Sequence, residues 1–241
     1  MRNYGVIGFP IKHSFSPGYF TQKYKDLSIT DCSYAAFEVE NLSNLHQFIE
    51  QHNLSGLNVT MPYKQVVIQH LDYISHEANA LNAVNTVRVE NSKLYGYNTD
   101  IFGFRDSLTP LLTKSHTKAL IFGTGGSSAA VRYVLSQLGI EHHTVSRSKG
   151  AAFTYESLTE DNIAEHTLLI NTTPLGMLHL IDESVTIPYR AVSKKHLCYD
   201  LIYTPTETLF LKQCKSQGAA VKNGLQMLEK QADKSWDIWN M

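Results

Sequence analysis

At 241 residues, with 43% hydrophobic and 18% charged side chains, the chain is long enough for one large or two modest globular domains, and its composition excludes a disordered or coiled-coil protein. Its 21 basic residues balance 22 acidic ones to a formal charge of -1, so no global field draws a polyanion and nucleic acid is not expected as a partner. Three cysteines, Cys32, Cys198 and Cys214, without a C-x-x-C pair suit a reducing cytoplasm, and none of the 11 histidines falls in a metal-binding pattern, so no metal is expected.

The opening residues, MRNYGVIGFP, run straight into an apolar strand with no signal-peptide h-region, and no apolar stretch approaches the roughly 18 residues of a membrane span. A soluble, cytoplasmic protein is expected. SPGYFTQKYKDL then reads as a helix with Ser16 as N-cap and Pro17 at its first position. YAAFEVE is a second strand, and Ser43 is placed to cap the helix NLHQFIEQH. GLNVTMP is a third strand, which Pro62 ends because it has no N–H to donate, and Lys64 is expected to open a helix, YKQVVIQHL. Alternation at this spacing predicts βαβ units in a mostly parallel sheet. AVNTVRVENSKLYGYNTD breaks the pattern and reads as two short strands hairpinned about ENSK.

IFGFRDSLTPLL carries apolar residues at helical spacing and bridges to a second domain, where alternation restarts. KALIFG is a buried strand, and SSAAVRYVLSQLG a helix with Ala130, Val131, Val134, Leu135 and Leu138 on one face. EHHTVSR, TLLINTTP, HLCYDLIY and AAVKNG are further strands. The closing helix sets Leu225, Leu228, Ala232, Trp236 and Trp239 along one face, and is expected to pack back on the first domain. The predicted class is therefore α/β in two domains: residues 1–101 completed by 224–241, and residues 102–223.

KALIFGTGGSSAAV places Gly123, Gly125 and Gly126 between a strand and a helix, where backbone can approach a pyrophosphate and unpaired helix N–H groups point at it. Ser128 stands where a third glycine is usual. The following strand ends in SRSK, with Arg147 and Lys149 as cations and Ser146 and Ser148 as hydroxyl donors. No acid is present there to bind a ribose 2'-OH, so NADP is predicted over NAD.

Other polar clusters lie at strand ends of the first domain, where an open α/β sheet collects ligands: Ser14 and Ser16, Thr60 and Lys64, Asn85, and Asp100. Singly, each has a structural explanation. Taken in order, VIGFPIKHSFSP, GLNVTMPYK, AVNT, GYNTDIFGF, GTGGSSAA, NTTPLGM, YDLIYTPTETLFL and NGLQMLEKQA resemble the shikimate dehydrogenase family over essentially the whole chain. That resemblance implies a substrate-binding α/β domain, a Rossmann-type NADP-binding domain and a cleft between them. It implies NADPH-dependent reduction of 3-dehydroshikimate to shikimate in aromatic amino-acid biosynthesis, with Lys64 and Asp100 as the catalytic pair. Ser14, Ser16 and Tyr203 would hold the substrate carboxylate, and Thr60, Asn85, Asp100 and Gln231 its ring hydroxyls. Cofactor contacts would come from Gly123, Thr124, Gly125, Gly126 and Ser127, from Ser146 through Lys149, and from Thr172, Ile202 and Gly224. The chain departs from the family pattern at Phe20 and Thr21, at Asn82 where a glycine commonly precedes AVN, and at SRS for the commoner NRT.

Reduction of a ring ketone needs a hydride at carbon and a proton at oxygen, and a lysine ammonium beside a carboxylate is suited to give the second. A broader quinate/shikimate dehydrogenase would share these motifs, and a non-catalytic NADP-binding sensor could use the same frame without needing a proton-transfer pair. Monomer and homodimer are both compatible with the sequence.

Overall fold

The computed structural model describes residues 1–11, 14–148 and 150–241. The chain divides into two compact units, Met1–Phe102 with Gln231–Met241, and Gly103–Lys230.

In the first unit the order is β1 (Arg2–Gly8), α1 (Ser16–Asp26), β2 (Cys32–Glu38), α2 (Leu45–Gln51), β3 (Leu54–Val59), β4 (Tyr73–Ile74), α3 (His76–Leu81), β5 (Thr86–Glu90) and β6 (Lys93–Tyr97). The strands form one sheet in the order β2-β1-β3-β5-β6-β4. β1 pairs in parallel with both β2 and β3, whereas β5 runs antiparallel to β3 and to β6. The turn between β5 and β6 is tight because Asn91 and Ser92 both take left-handed backbone, at φ 50 and 60. That geometry matches the twist of a two-stranded ribbon.

The helix starts differ from expectation. Ser16 lies inside the first turn of α1, after Phe15 as N-cap, and no side chain caps the helix. Asn44, not Ser43, precedes α2, while the Ser43 N–H donates to Asn41 Oδ1 in a local turn. No α-helix begins at Lys64. Residues 61–65 turn, and Val66–His70 form five residues of 3₁₀-helix. Val66, Val67 and Ile68 are all β-branched and lose side-chain freedom in a helix, so so short a run of them has little to sustain an α-helix.

The second unit contains β7 (Lys118–Phe122), α5 (Gly126–Gln137), β8 (Glu141–Ser146), β9 (Phe153–Thr154), α6 (Glu160–Glu165), β10 (Leu168–Asn171), β11 (Leu197–Asp200), α7 (Leu209–Ser216) and β12 (Ala220–Lys222). α4 (Asp100–Leu108) and α8 (Leu225–Trp239) each carry the chain from one unit into the other. The sheet order is β12-β11-β10-β7-β8-β9, every pairing parallel. Read from the β9 edge, this is the doubly wound order 3-2-1-4-5-6, whose reversal at β7 and β10 leaves a crevice at the strand ends. Four consecutive residues are buried in each of β7, β10 and β11, as a strand covered on both faces requires. Ala130, Val131, Val134 and Leu135 form the buried face of α5.

Leu225 and Leu228 of α8 are only half-buried. Its last turns bury Ala232, Ser235, Ile238 and Trp239 in the first unit. There Trp239 stacks on Tyr4 at 4.7 Å and donates its indole N–H to the Val87 carbonyl at 3.0 Å. Phe20, one departure from the family pattern, is wholly buried and stacks on Tyr34 at 4.4 Å, so a large aromatic has become part of this core. Asn82, another, ends α3 with left-handed backbone at φ 49. Asparagine tolerates that region better than other residues with a Cβ, which is why it can stand where glycine is common.

Candidate active site

In the first unit the ends of β3, β5 and β6 present polar side chains to one another. The Lys64 ammonium donates to Asp100 Oδ2 at 2.7 Å, with the two side chains 30% and 15% exposed. Asp100 is held by a second donor, Asn85 Nδ2, which reaches Oδ1 at 2.9 Å and also the Gln231 side-chain oxygen at 3.1 Å. Asn85 is itself fixed, because its amide oxygen accepts from the Thr99 backbone N–H at 2.7 Å and from the hydroxyls of Thr86 and Thr99, both at 3.2 Å. Buried polar groups with all their bonds made hold one orientation. Lys64 and Asp100 therefore sit on a preorganised base, with enough exposure for a small molecule to reach them.

The base extends through residues to which sequence reasoning gave no role. Asn58 donates from Nδ2 to Ser235 Oγ at 2.9 Å and to Thr86 Oγ1 at 3.2 Å, and its oxygen accepts from the Tyr34 phenol at 2.7 Å. Burial pushes that phenol well above its usual range, while the Ser16 hydroxyl donating to it pulls the other way. A continuous path of hydrogen bonds thus joins Tyr34 to Asn85 and so to Asp100. Asn58 lies in the quoted NVT, but its partners come from β2, β5 and α8, and no spacing in the sequence announces them.

Of the other substrate residues singled out, Ser14 lines a cavity of about 460 Å³ with Ile11, Pro17, Ala36 and Glu38. Glu38 there accepts the Ile11 backbone N–H at 3.1 Å. Thr60 follows β3 directly and packs its methyl group against Gly8, where a Cβ would come within 2.5 Å of it. Tyr203 belongs to the second unit.

The glycine loop of the second unit fits a dinucleotide. Gly123 has φ +105, a conformation costly to any other residue, and its missing Cβ would meet Thr172 Oγ1 at 2.8 Å. At Gly125 and Gly126 an added Cβ would meet nothing within 4 Å, so the backbone there borders open space. Gly125 caps α5 with no side-chain bond, leaving the first N–H groups of a 12-residue helix to an anion. Thr124 lines a cavity of about 330 Å³ with Arg132, Thr144, Ser146, Ser148, Gly150 and Ala151. Ser127 is exposed in the first turn of α5, and Arg147 is exposed just past β8. Lys149 lies outside the described residues. Among the described residues no group of three or more His, Cys, Asp and Glu side chains is placed to hold a metal ion.

The loop after β10 is tied to the loop after β11 through Asp200, a carboxylate with no exposed surface. It accepts from Asn171 Nδ2 at 3.1 Å, the Ile202 N–H at 3.0 Å and Thr208 Oγ1 at 2.6 Å. Burial pushes its pKa from 3.8 up to about 6, against the three donors. Gly224 donates its N–H to the Ile202 carbonyl at 3.0 Å, so Ile202 and Gly224 are bonded in series to Asp200, whereas Thr172 is tied to the end of β7, donating to the Phe122 carbonyl at 2.7 Å.

A family model described as the shikimate dehydrogenase substrate binding domain matches residues 6–87. The shikimate dehydrogenase (NADP(+)) of Clostridium beijerinckii is 39% identical over 254 residues, covering 99% of this chain and 92% of that protein. The chain belongs to the shikimate dehydrogenase family. Solved structures of that family superpose closely: shikimate dehydrogenase from Aquifex aeolicus gives a TM-score of 0.87 at 34% identity, covering 100% of this chain and 92% of that one. Shikimate 5-dehydrogenase from Thermus thermophilus, in complex with NADP(H) and shikimate, gives 0.86 at 30% identity, covering 99% and 93%.

Proposed function

We propose that the chain is an NADP-dependent shikimate dehydrogenase, catalysing the reversible reduction of 3-dehydroshikimate to shikimate on the route to aromatic amino acids. The observation that carries this reading is the 2.7 Å bond between Lys64 and Asp100, braced through Asn85 and Gln231, in a chain of this family. The unit Met1–Phe102 with Gln231–Met241 takes the substrate, and the unit Gly103–Lys230 the cofactor.

NADPH, when bound, supplies the hydride for the ring carbonyl carbon. The chain's own task is the proton. Lys64 carries it on Nζ and delivers it to the carbonyl oxygen as negative charge develops there, and Asp100 aims the ammonium and balances its charge. Ser14, Ser16 and Tyr203 hold the substrate carboxylate, and Thr60, Asn85 and Gln231, with Asp100, its hydroxyls. The backbone from Gly123 to Ser127 cradles the pyrophosphate, Ser146, Arg147 and Ser148 take the adenosine 2'-phosphate, and Thr172, Ile202 and Gly224 form the wall for the nicotinamide end. A cytoplasmic location is supported by Cys32, Cys198 and Cys214, all free thiols and all buried. Among the described residues no helix is long and apolar enough to cross a membrane.

The test is steady-state oxidation of NADPH with 3-dehydroshikimate, run beside 3-dehydroquinate. Turnover with the first and little with the second is expected. Equal or faster turnover with 3-dehydroquinate makes the protein a quinate/shikimate enzyme, and no turnover with either leaves a binding protein.

A further inference from the structure

The SRS turn after β8 supplies Arg147 to the cofactor reading, yet the guanidinium that shares a cavity with Ser146 and Ser148 is a different one. Arg132 lies on α5, one and a half turns past the glycine loop, on the exposed side opposite Ala130, Val131, Val134 and Leu135. With Thr124 of the loop, Thr144 and Ser146 of β8 and Ser148 beyond it, Arg132 lines a cavity of about 330 Å³. Thr144 and Ser146 are two residues apart on a strand and so present their hydroxyls on one face. Ser146 Oγ also accepts the Ser148 N–H at 3.3 Å, which ties the turn to the strand end.

The cavity is matched to an anion. No carboxylate is among its described lining residues, and Arg132 makes no ion pair or hydrogen bond with any described residue. Elsewhere in this unit Lys118 is paired with Glu165, Arg190 with Glu160 and Lys215 with Glu207. Arg147 is outside the lining, and its charge is felt instead at the Tyr155 phenol, where it opposes the upward push of burial. A ribose with a free 2'-hydroxyl would call for an acid at the end of this strand, whereas four hydroxyls around an unpaired guanidinium suit a phosphate.

We propose that Arg132 is a specificity-determining residue, binding the 2'-phosphate of NADP in the cavity between α5 and the end of β8. The proposal deepens the cofactor reading above and rests on it. Arg132→Gln and Arg132→Lys are compared with the parent chain by calorimetric titration with 2',5'-ADP and with 5'-AMP, and by KM for NADP and for NAD in shikimate oxidation. Because Arg132 is exposed and makes no bond to any described residue, the variants are expected to fold, as thermal midpoints within about 1 °C of the parent would record. Loss of one charge-assisted phosphate contact weakens 2',5'-ADP by about tenfold to a hundredfold in the Gln variant, with 5'-AMP changed less than about twofold and KM rising for NADP alone. The Lys variant recovers part of the loss. A parent that discriminates the two nucleotides and a Gln variant that discriminates equally well overturn the assignment alone, as does equal weakening of both. A parent that binds both nucleotides alike overturns the NADP reading itself, and the assignment with it.

Discussion

Replacing Asp200 by asparagine isolates the cost of keeping a carboxylate in the core of the cofactor unit. Its pKa is pushed up to about 6 from 3.8 because it has no exposed surface. Between those two values the folded chain binds a proton that the unfolded chain has released, so this group's stabilising contribution is full below pH 4 and is lost as pH rises through about 6. The whole loss is roughly 3 kcal/mol, of which about 1 kcal/mol falls between pH 5 and pH 8. Asp200→Asn has no such proton to lose. It also leaves Thr208 facing an amide where it had an acceptor, a penalty of about 1 kcal/mol that does not vary with pH. Urea unfolding of both proteins at pH 5, 6, 7 and 8 separates the two effects. The parent should lose about 1 kcal/mol relative to the variant across that range, whatever the offset between them. Stability curves that stay parallel from pH 5 to pH 8 would refute the argument, since Asp200 would then gain no proton on folding.

Lys64→Ala is expected to lower kcat by a factor of about 10² to 10⁴ while the dissociation constant for NADP, measured by fluorescence titration, stays close to that of the parent; normal turnover would remove lysine from the reaction. Trp239→Ala deletes the ring stacked on Tyr4 and the bond to the Val87 carbonyl, and should cost about 3–5 kcal/mol in urea unfolding. At Gly224 an added Cβ would stand 2.0 Å from the Leu201 carbonyl oxygen, which is backbone and cannot step aside, so Gly224→Ala should lower the thermal midpoint. Gly126→Ala meets open space and should keep that midpoint while raising KM for NADP; equal thermal effects from the two substitutions would contradict this distinction.

The larger elements were legible because they repeat a period over many residues: KALIF followed by the α5 pattern defines a strand and its crossover helix whatever packs upon them. β4 and β9, two residues each, and the short α3 carry no period, and the sequence offered nothing to find them by. No α-helix starts at Lys64 because the apolar run behind it is β-branched and sustains one poorly, and a serine before proline looks the same whether it caps a helix or, like Ser16, lies in its first turn. The grouping of Lys64, Asn85, Asp100 and Gln231 came from resemblance, since separations this large have no local signature. Asn58 and Tyr34 escaped for the same reason. Arg132 escaped because an arginine on a polar helix face reads as solvated until β8 is seen beside it.

The pairing of Tyr4 with Trp239 sets an order of events during synthesis. The cofactor unit is one unbroken span of chain and can condense as soon as residue 230 has left the ribosome. β1, made first, must wait for an aromatic partner added more than two hundred positions later, and until then Tyr4 and Phe20 form a sticky half-built surface. Nascent chains halted before Trp239 should therefore recruit chaperones through their amino-terminal third, although that third was translated first.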